Sequence, residues 1–437
     1  MTNCTQESFR FPPVKHRVVE ASFDGGDITT DGGVLLLRQA DGVLGLSEAI
    51  TLALKDPRRQ ASCDHQLLAL VRQRLYALAL GYEDLNDHEG LRQDVAMQTA
   101  VERDQILASA PTLCRFENRS DRETAIGLHE VLVEQFIASF KRPPKKLILD
   151  FDATDDAVHG DQRGRFFHGY YDHYCFLPLY VFCGHQLLVS YLRPSNIDGA
   201  KHAWPILSLL VKSLHQAWPK VKIIFRGDSG FCRWKILRWC DRHGISYIVG
   251  LAKNKRLNAR TKALQGEAAE RFAASGTKVR WFTELQYAAK SWDHPRRVIA
   301  KIEHSSHGAN PRYVVTNLQG DPQRLYDQLY CARCDMENRI KESQLDMFGG
   351  RTSCQLWWPN QLRLLLSSLA YTLIEAIRRL ALKGTELARA YVGTIRLKLF
   401  KIGAVILRNT RRVRFLLASG CPYKQLFFLV AHRLATG

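Results

Sequence analysis

The run LILDFDAT, residues 147–154, constrains the fold of this chain more than any other segment. Successive side chains of a strand point to opposite faces. Leu147, Leu149, Phe151 and Ala153 therefore share one face, and Ile148, Asp150, Asp152 and Thr154 share the other. The first face belongs in a core. Carboxylates beside a core strand are costly to bury unless a cation or hydrogen bonds compensate them, so two acids on the second face point to a metal ion. The plainer alternative is a strand that ends in solvent at Asp155 and Asp156.

The surroundings of this strand set an architecture. A basic, proline-broken linker, KRPPKK at residues 141–146, precedes it and marks a change from helical to strand periodicity. FLPLYVFC (176–183) and QLLVSYLRP (186–194) follow as two more strands, close enough for antiparallel hairpin connections. A helical pattern at 200–217 comes next, then the strand KIIFRGDSG (222–230), a helix at 233–242 and the strand SYIVGLA (246–252). Three strands, a helix, then strand, helix and strand form the order of a ribonuclease H-like α/β core. Further strand-like runs, KVRWFTELQYA, RRVIAKIEH and RYVVTNL, lie between 254 and 317 and read as an inserted β region. Long helices are expected over 322–348 and 359–382.

The chain carries 62 Lys and Arg against 43 Asp and Glu, a net charge of +19 that favours a polyanionic partner. Its last 87 residues hold fifteen Lys or Arg against only Glu375 and Glu386, so thirteen of the nineteen net charges fall there. A membrane span is not expected, because the longest apolar stretch, 362–382, includes Arg363, Glu375, Arg378 and Arg379. The N-terminal MTNCTQESFRFPPVKHR lacks an apolar core and a small-residue cleavage site, which argues for the cytoplasm. Eleven scattered cysteines read as reduced thiols. Cys331 and Cys334 have metal-ligand spacing, but zinc needs four ligands and no second pair lies nearby. An apolar stripe at Leu67, Leu70, Val71, Leu75, Leu78 and Leu85, flanked by Arg58, Arg59, Arg72 and Arg74, suggests a helical module that binds DNA ends, with a helical scaffold as the alternative.

Two further acids stand at the edges of core elements. Asp228 follows KIIF in RGDSGF, at the C-terminal end of a central strand, where ligands gather in open α/β sheets. By itself it could equally cap the next helix. Glu337 lies in YCARCDMENRIKESQ, where helical spacing puts Tyr330, Arg333, Glu337, Lys341 and Gln344 on one face, beside an apolar stripe of Leu329, Met336, Ile340 and Met347. Three acids far apart in sequence suit a two-metal site. Oxygen ligands select Mg²⁺ or Mn²⁺, and two ions about 3.5–4 Å apart stabilise both the attacking and the leaving oxygen of an in-line displacement at phosphorus.

The motifs ITTDGGVLLLR (28–38), GYEDLND (81–87), LDFDATDDAVHGDQ (149–162), FRGDSGF (225–231) and YCARCDMENRIKE (330–342) together resemble the DDE transposases of bacterial insertion sequences. Within these, the chain is similar to the insertion-sequence-4 group and its insertion-sequence-1380 family. The resemblance spans nearly the whole chain. It implies Asp152, Asp228 and Glu337 as the catalytic, metal-binding acids, with Asp150 as the runner-up for the first position. It implies a ribonuclease H-like core interrupted by a β insertion between the second Asp and the Glu. It also implies DNA phosphate contacts from Tyr330 and Arg333. The signature ends in Gln344 where relatives have Lys, and Lys341, one turn earlier, is the substitute.

The expected activity is cut-and-paste transposition with two Mg²⁺ ions, Mn²⁺ serving as a substitute. The partners are double-stranded DNA, as terminal inverted repeats and target, and a second copy of the chain in a synaptic complex. The rivals are a ribonuclease H-like nuclease that does not join strands and a catalytically inactive, domesticated DNA-binding protein. The expected organisation is an N-terminal helical, DNA-end-binding region at 1–140, a first core part at 147–254, a β-rich insertion at 255–318, the rest of the core with the Glu-bearing helix at 319–382, and a basic C-terminal region at 383–437.

Overall fold

The computed structural model describes residues 8–436. Residues 1–7, where the segment read for a secretory signal begins, lie outside the described residues. The chain divides into two units, residues 120–368 and residues 1–119 with 369–437. Each is built around its own apolar interior.

The first unit is organised by a nine-stranded mixed sheet. Its strands are β1 (Lys146–Ala153), β2 (Leu179–Cys183), β3 (Gln186–Tyr191), β4 (Lys222–Gly227), β5 (Ser246–Leu251), β6 (Val279–Tyr287), β7 (Arg296–Ser305) and β8 (Arg312–Thr316), with Gly308–Ala309 pairing only with β7. Across the sheet the order is β6-β7-β8-β5-β4-β1-β2-β3. β1, β4 and β5 run parallel, and every other neighbouring pair is antiparallel.

The alternation read from LILDFDAT is present. Leu147, Leu149 and Phe151 join Phe225, Tyr247 and Val249 in the main core, beneath helices α1 (Arg122–Ala138), α2 (Ala203–Ala217), α3 (Trp234–Arg242) and α4 (Lys262–Ser275). On the opposite face Ile148, Ile224, Ile248, Ile299 and Val314 pack against Tyr326, Leu325, Leu329 and Tyr330. The sheet is thus covered on both sides, as β-branched, continuously apolar central strands require.

The strands read as a β-rich insertion, β6, β7 and β8, extend the central sheet, because β8 hydrogen-bonds antiparallel to β5. Only β2 and β3 join by a tight hairpin, because residues 156–176 between β1 and β2 build a small sheet of their own from Asp156–Ala157, Phe166–His168 and His173–Phe176.

In the second unit the two ends of the chain fold together, where separate N- and C-terminal regions were expected. Ile28–Thr29 pairs with Ala404–Val405 at the edge of a three-stranded sheet. The DGG turn is pressed against the 399–402 backbone: Gly32 N donates to Ile402 O at 2.9 Å and Gly33 N to Phe400 O at 3.1 Å. A Cβ on Gly33 would come within 2.0 Å of the Leu399 carbonyl oxygen, so only glycine fits. Asp31 receives the Tyr82 hydroxyl at 2.6 Å and stands 2.7 Å from Lys401 Nζ. The motifs ITTDGG and GYEDLND therefore fasten one end of the chain to the other. No helix among the described residues is long and apolar enough to cross a membrane.

The arginines flanking the Leu67–Leu80 helix are mostly held inside this unit. Arg74 is fully buried, its Nε 2.9 Å from Glu117 Oε1 and its Nη1 3.1 Å from the buried His88 ring. Arg72 pairs with Glu102 and Arg58 with Asp56, each at 2.6 Å. Arg74 is consequently no DNA contact, and this arrangement supports the scaffold alternative.

Burial, then the Arg74 charge, lower the His88 pKa to about 3. The folded unit favours neutral His88, so this contribution is present above the unfolded imidazole value of 6.5. It is lost as pH falls toward 3, at about 1.4 kcal/mol per pH unit. Thermal melts of wild type and His88→Gln should show a steeper acid destabilisation for wild type between pH 6.5 and 4.5; parallel curves would count against this account.

Candidate active site

Strand register brings the first two acids together. β1 and β4 pair in parallel, with Asp150 beside Arg226 and Phe151 beside Gly227, and Asp152 and Asp228 follow at the ends of these strands, close enough for the Asp228 charge to act on Asp152. Both acids sit at the C-terminal ends of central parallel strands, the rim where α/β sheets hold ligands. Asp228 also caps the turn that follows, its Oδ1 accepting from Gly230 N at 2.9 Å.

β5 sets Val249 beside Gly227, and Gly250 follows against the Asp228–Ser229 turn. A Cβ there would fall 2.6 Å from the Tyr330 hydroxyl and 2.8 Å from Ser229 N. The bare glycine lets the Asp228 turn and Tyr330 approach the same point.

The third acid arrives on an irregular helix. Residues 325–330 form a wide π turn, 331–333 a tight 3₁₀ turn, 334–341 a regular α5 (Cys334–Lys341) and 342–346 a second π turn. Such changes of pitch are frequent at functional sites and rotate side chains away from the 3.6-residue register.

Arg333 faces the strand ends and bridges two acids, with Nη1 3.0 Å from Asp152 Oδ2 and Nη2 2.5 Å from Glu337 Oε1. Tyr330 is half-buried beside Asp228, and burial raises its pKa. Gln344 leaves the expected face: its amide donates to the Asp155 carbonyl at 2.9 Å and holds the loop after β1. Lys341 is exposed.

Asp150 does not belong to this group. It forms a buried, bidentate ion pair with Arg226, whose Nη2 lies 2.7 Å from Asp150 Oδ2 and whose Nε donates to the other oxygen. Arg226 also donates to the carbonyls of Leu329 and Ala332, on either side of the π-to-3₁₀ break. One guanidinium therefore ties the acid-bearing strands to the segment that delivers Arg333 and Glu337. Sequence reasoning missed Arg226 and Gly250, although the RGD spelling and strand order held the signal. The 156–176 excursion flanks the site: Tyr171 is pushed up to about 12 by burial, Asp155 and Asp152, and His173 Nε2 stands 2.8 Å from Asp155 Oδ2.

The electrostatics are those of acids crowded around a cation. Asp152 is raised from 3.8 to about 6: burial is the largest cause, Arg333 opposes it, and Asp228 and Glu337 add to it. Burial works against the Arg333 charge, yet Asp152 and Glu337 hold its pKa above the usual value. Among the described residues no three His, Cys, Asp or Glu side chains stand close enough to hold an ion together, because the Arg333 guanidinium lies between Asp152 and Glu337. The donor chemistry, carboxylate oxygens without His or Cys, fits Mg²⁺ or Mn²⁺.

Comparison with protein families matches residues 11–436 to the transposase DDE domain, group 1, and the chain belongs to that family. Curated proteins gave no match. Among solved structures, the cryo-electron microscopy structure of a piggyBac transposase synaptic complex with hairpin DNA is similar, with a TM-score of 0.42 and 11% identity over 84% of this chain and 80% of that one.

The crowding has a measurable cost. An unfolded Asp152 titrates near 3.8 and the folded one near 6, so this group removes stability as pH rises between those values. Asp152→Asn, which keeps an oxygen for Arg333, should be more stable than wild type at neutral pH by up to about 3 kcal/mol. The gap should close near pH 4 in chemical denaturation; a less stable variant at neutral pH would contradict the assignment.

Proposed function

We propose that this member of the DDE transposase family is the cut-and-paste transposase of a bacterial insertion sequence. It binds terminal inverted repeats, cleaves them and joins the freed ends to target DNA. The carrying observation is the meeting of Asp152 and Asp228 at adjacent parallel strand ends, with Arg333 joining Asp152 to Glu337. The strand order β3-β2-β1-β4-β5 supports a ribonuclease H-like core. The sequence motifs support the insertion-sequence-4 group and its 1380 family.

Asp152, Asp228 and Glu337 would hold two divalent ions, Mg²⁺ with Mn²⁺ as a substitute. Bound there, the ions supply charge neutralisation for the attacking and leaving oxygens of an in-line displacement. In cleavage a water oxygen bonds to phosphorus and the 3′ oxygen leaves as a hydroxyl. In joining, that hydroxyl attacks a target phosphate and displaces the target's own 3′ oxygen.

The chain's contribution is to bind and orient. Rigid strand ends fix Asp152 and Asp228, and the Asp228 turn is locked by its own cap. Arg333 neutralises the acids, and its planar fork suits a phosphate equally well. Tyr330 adds a hydroxyl beside Asp228, and exposed Lys341 supplies a phosphate contact in place of Gln344. A second copy of the chain would pair the two transposon ends, on the cytoplasmic nucleoid.

Labelled DNA carrying the element's terminal repeat, incubated with Mg²⁺, tests the reading. Wild type should cut and join, whereas Glu337→Ala should retain end binding and lose both activities by at least about a hundredfold, as removal of a transition-state contact does. Cutting without joining would make the protein a nuclease. Specific binding with no chemistry in wild type would make it a domesticated DNA-binding protein.

A further inference from the structure

Two groups stand out among the positive charges of the last 87 residues once folded. Several cations serve the fold. Arg396 donates to the carbonyls of Ala79 and Leu78 at the end of the Leu67–Leu80 helix, Arg433 to those of Ala381 and Lys383, and Lys401 pairs with Asp31. Arg378 is buried and Arg379 lies against Glu375. The second group is gathered on one β-hairpin, Ala404–Arg408 and Val413–Leu417, where Arg408, Arg411, Arg412 and Arg414 are all exposed.

The turn of this hairpin is built to present its tip. Asn409 Oδ1 accepts from the backbone N–H groups of both Arg411 and Arg412 at 2.9 Å, and Asn409 N donates to Arg412 O at 3.0 Å. An Asx turn of this kind fixes the backbone without using either arginine side chain. Register places Arg408 beside Val413 and Leu407 beside Arg414, so the strands carry arginine on both faces of the tip. Arg408 makes one long contact, 3.4 Å to the Gln98 side chain, and among the described residues Arg411, Arg412 and Arg414 meet no carboxylate. Four like charges held within seven residues repel one another at a cost that an anionic partner would remove. An ion-paired fold-stabilising role would have supplied acids, and the whole segment offers only Glu375, which is buried, and Glu386.

We propose that this arginine-tipped hairpin is a duplex-DNA contact, gripping backbone phosphates through Arg411 and Arg412 with Arg408 and Arg414 in support. The proposal rests on the DNA-directed reading above and adds the element that supplies sequence-independent affinity. Phosphate contacts release counterions, so each should appear in the salt dependence of binding.

The test is fluorescence anisotropy of the full-length protein on a labelled random-sequence duplex of about 40 base pairs, without divalent ions, over roughly 50–300 mM salt. Arg411→Ala/Arg412→Ala should reduce the slope of log affinity against log salt by about two. Arg411→Lys/Arg412→Lys should keep most of it, because the charge is retained. Lys383→Ala/Arg389→Ala, which removes equal charge from exposed positions elsewhere in the same unit, should leave the slope nearly unchanged. An unchanged slope in the alanine pair, an equal loss in the Lys383/Arg389 control, or a lysine pair as weak as the alanine pair would overturn the proposal. The assay involves no strand chemistry. A chain that cuts no DNA can therefore pass it, and a chain that cuts and joins DNA can fail it.

Discussion

The pairing of Asp150 with Arg226 across parallel strands is the contact on which the site depends. It ties β1 to β4 two residues before Asp152 and Asp228, which follow at the two strand ends. A slip of one residue would turn Asp152 toward the Leu149 and Phe151 core, a change the strand period makes all-or-none. Arg226 also donates to the Leu329 and Ala332 carbonyls on the irregular helix. A buried ion pair is weak evidence for stability. Here its value lies in specificity, because one guanidinium holds two strands and the approaching helix in a single arrangement.

Around that fixed frame the acids themselves are held against their preference. Asp152 is partly buried, close to two other carboxylates, and raised to about 6 as a result. Arg333 is the internal counterion that makes the cluster tolerable. Glu337 is the loosest member, with a side chain 45% exposed against 17% for Asp152. Two acids are thus preorganised by strands and the third by a helix whose pitch changes three times within about twenty residues. Regions of low regularity are where movement between bound and unbound states is least costly.

How much of this was legible depended on whether the information was local. Strands and helices from Lys146 to Leu251 followed their periodicity to within a few residues, and the alternation in LILDFDAT correctly divided core from acid face. The motifs singled out Asp152, Asp228 and Glu337, and these lie on β1, just after β4 and on α5. Long-range pairing was not legible. Nothing in RYVVTNL announces that its strand will pair with β5, since pairing elsewhere would leave the same apolar alternation. Likewise the DGG turn gives no hint that the 399–402 backbone will press against Gly33.

Charged residues were the least readable. Arg74, Asp150 and Gln344 looked like solvent-facing or catalytic groups, and each is engaged internally, with Glu117, Arg226 and the Asp155 carbonyl. The pitch changes in the Glu-bearing segment explain Gln344, because a wide turn shifts every later position around the axis.

The central claim is that Asp152, Asp228 and Glu337 form one divalent-ion centre. Iron-directed cleavage tests it most directly, with Fe²⁺ taking the place of Mg²⁺ and ascorbate with peroxide generating radicals that cut the polypeptide beside the bound ion. The account predicts cuts near residues 152, 228 and 337 together, and their loss in Asp228→Asn. Cuts confined elsewhere, or an identical pattern in the variant, would contradict it.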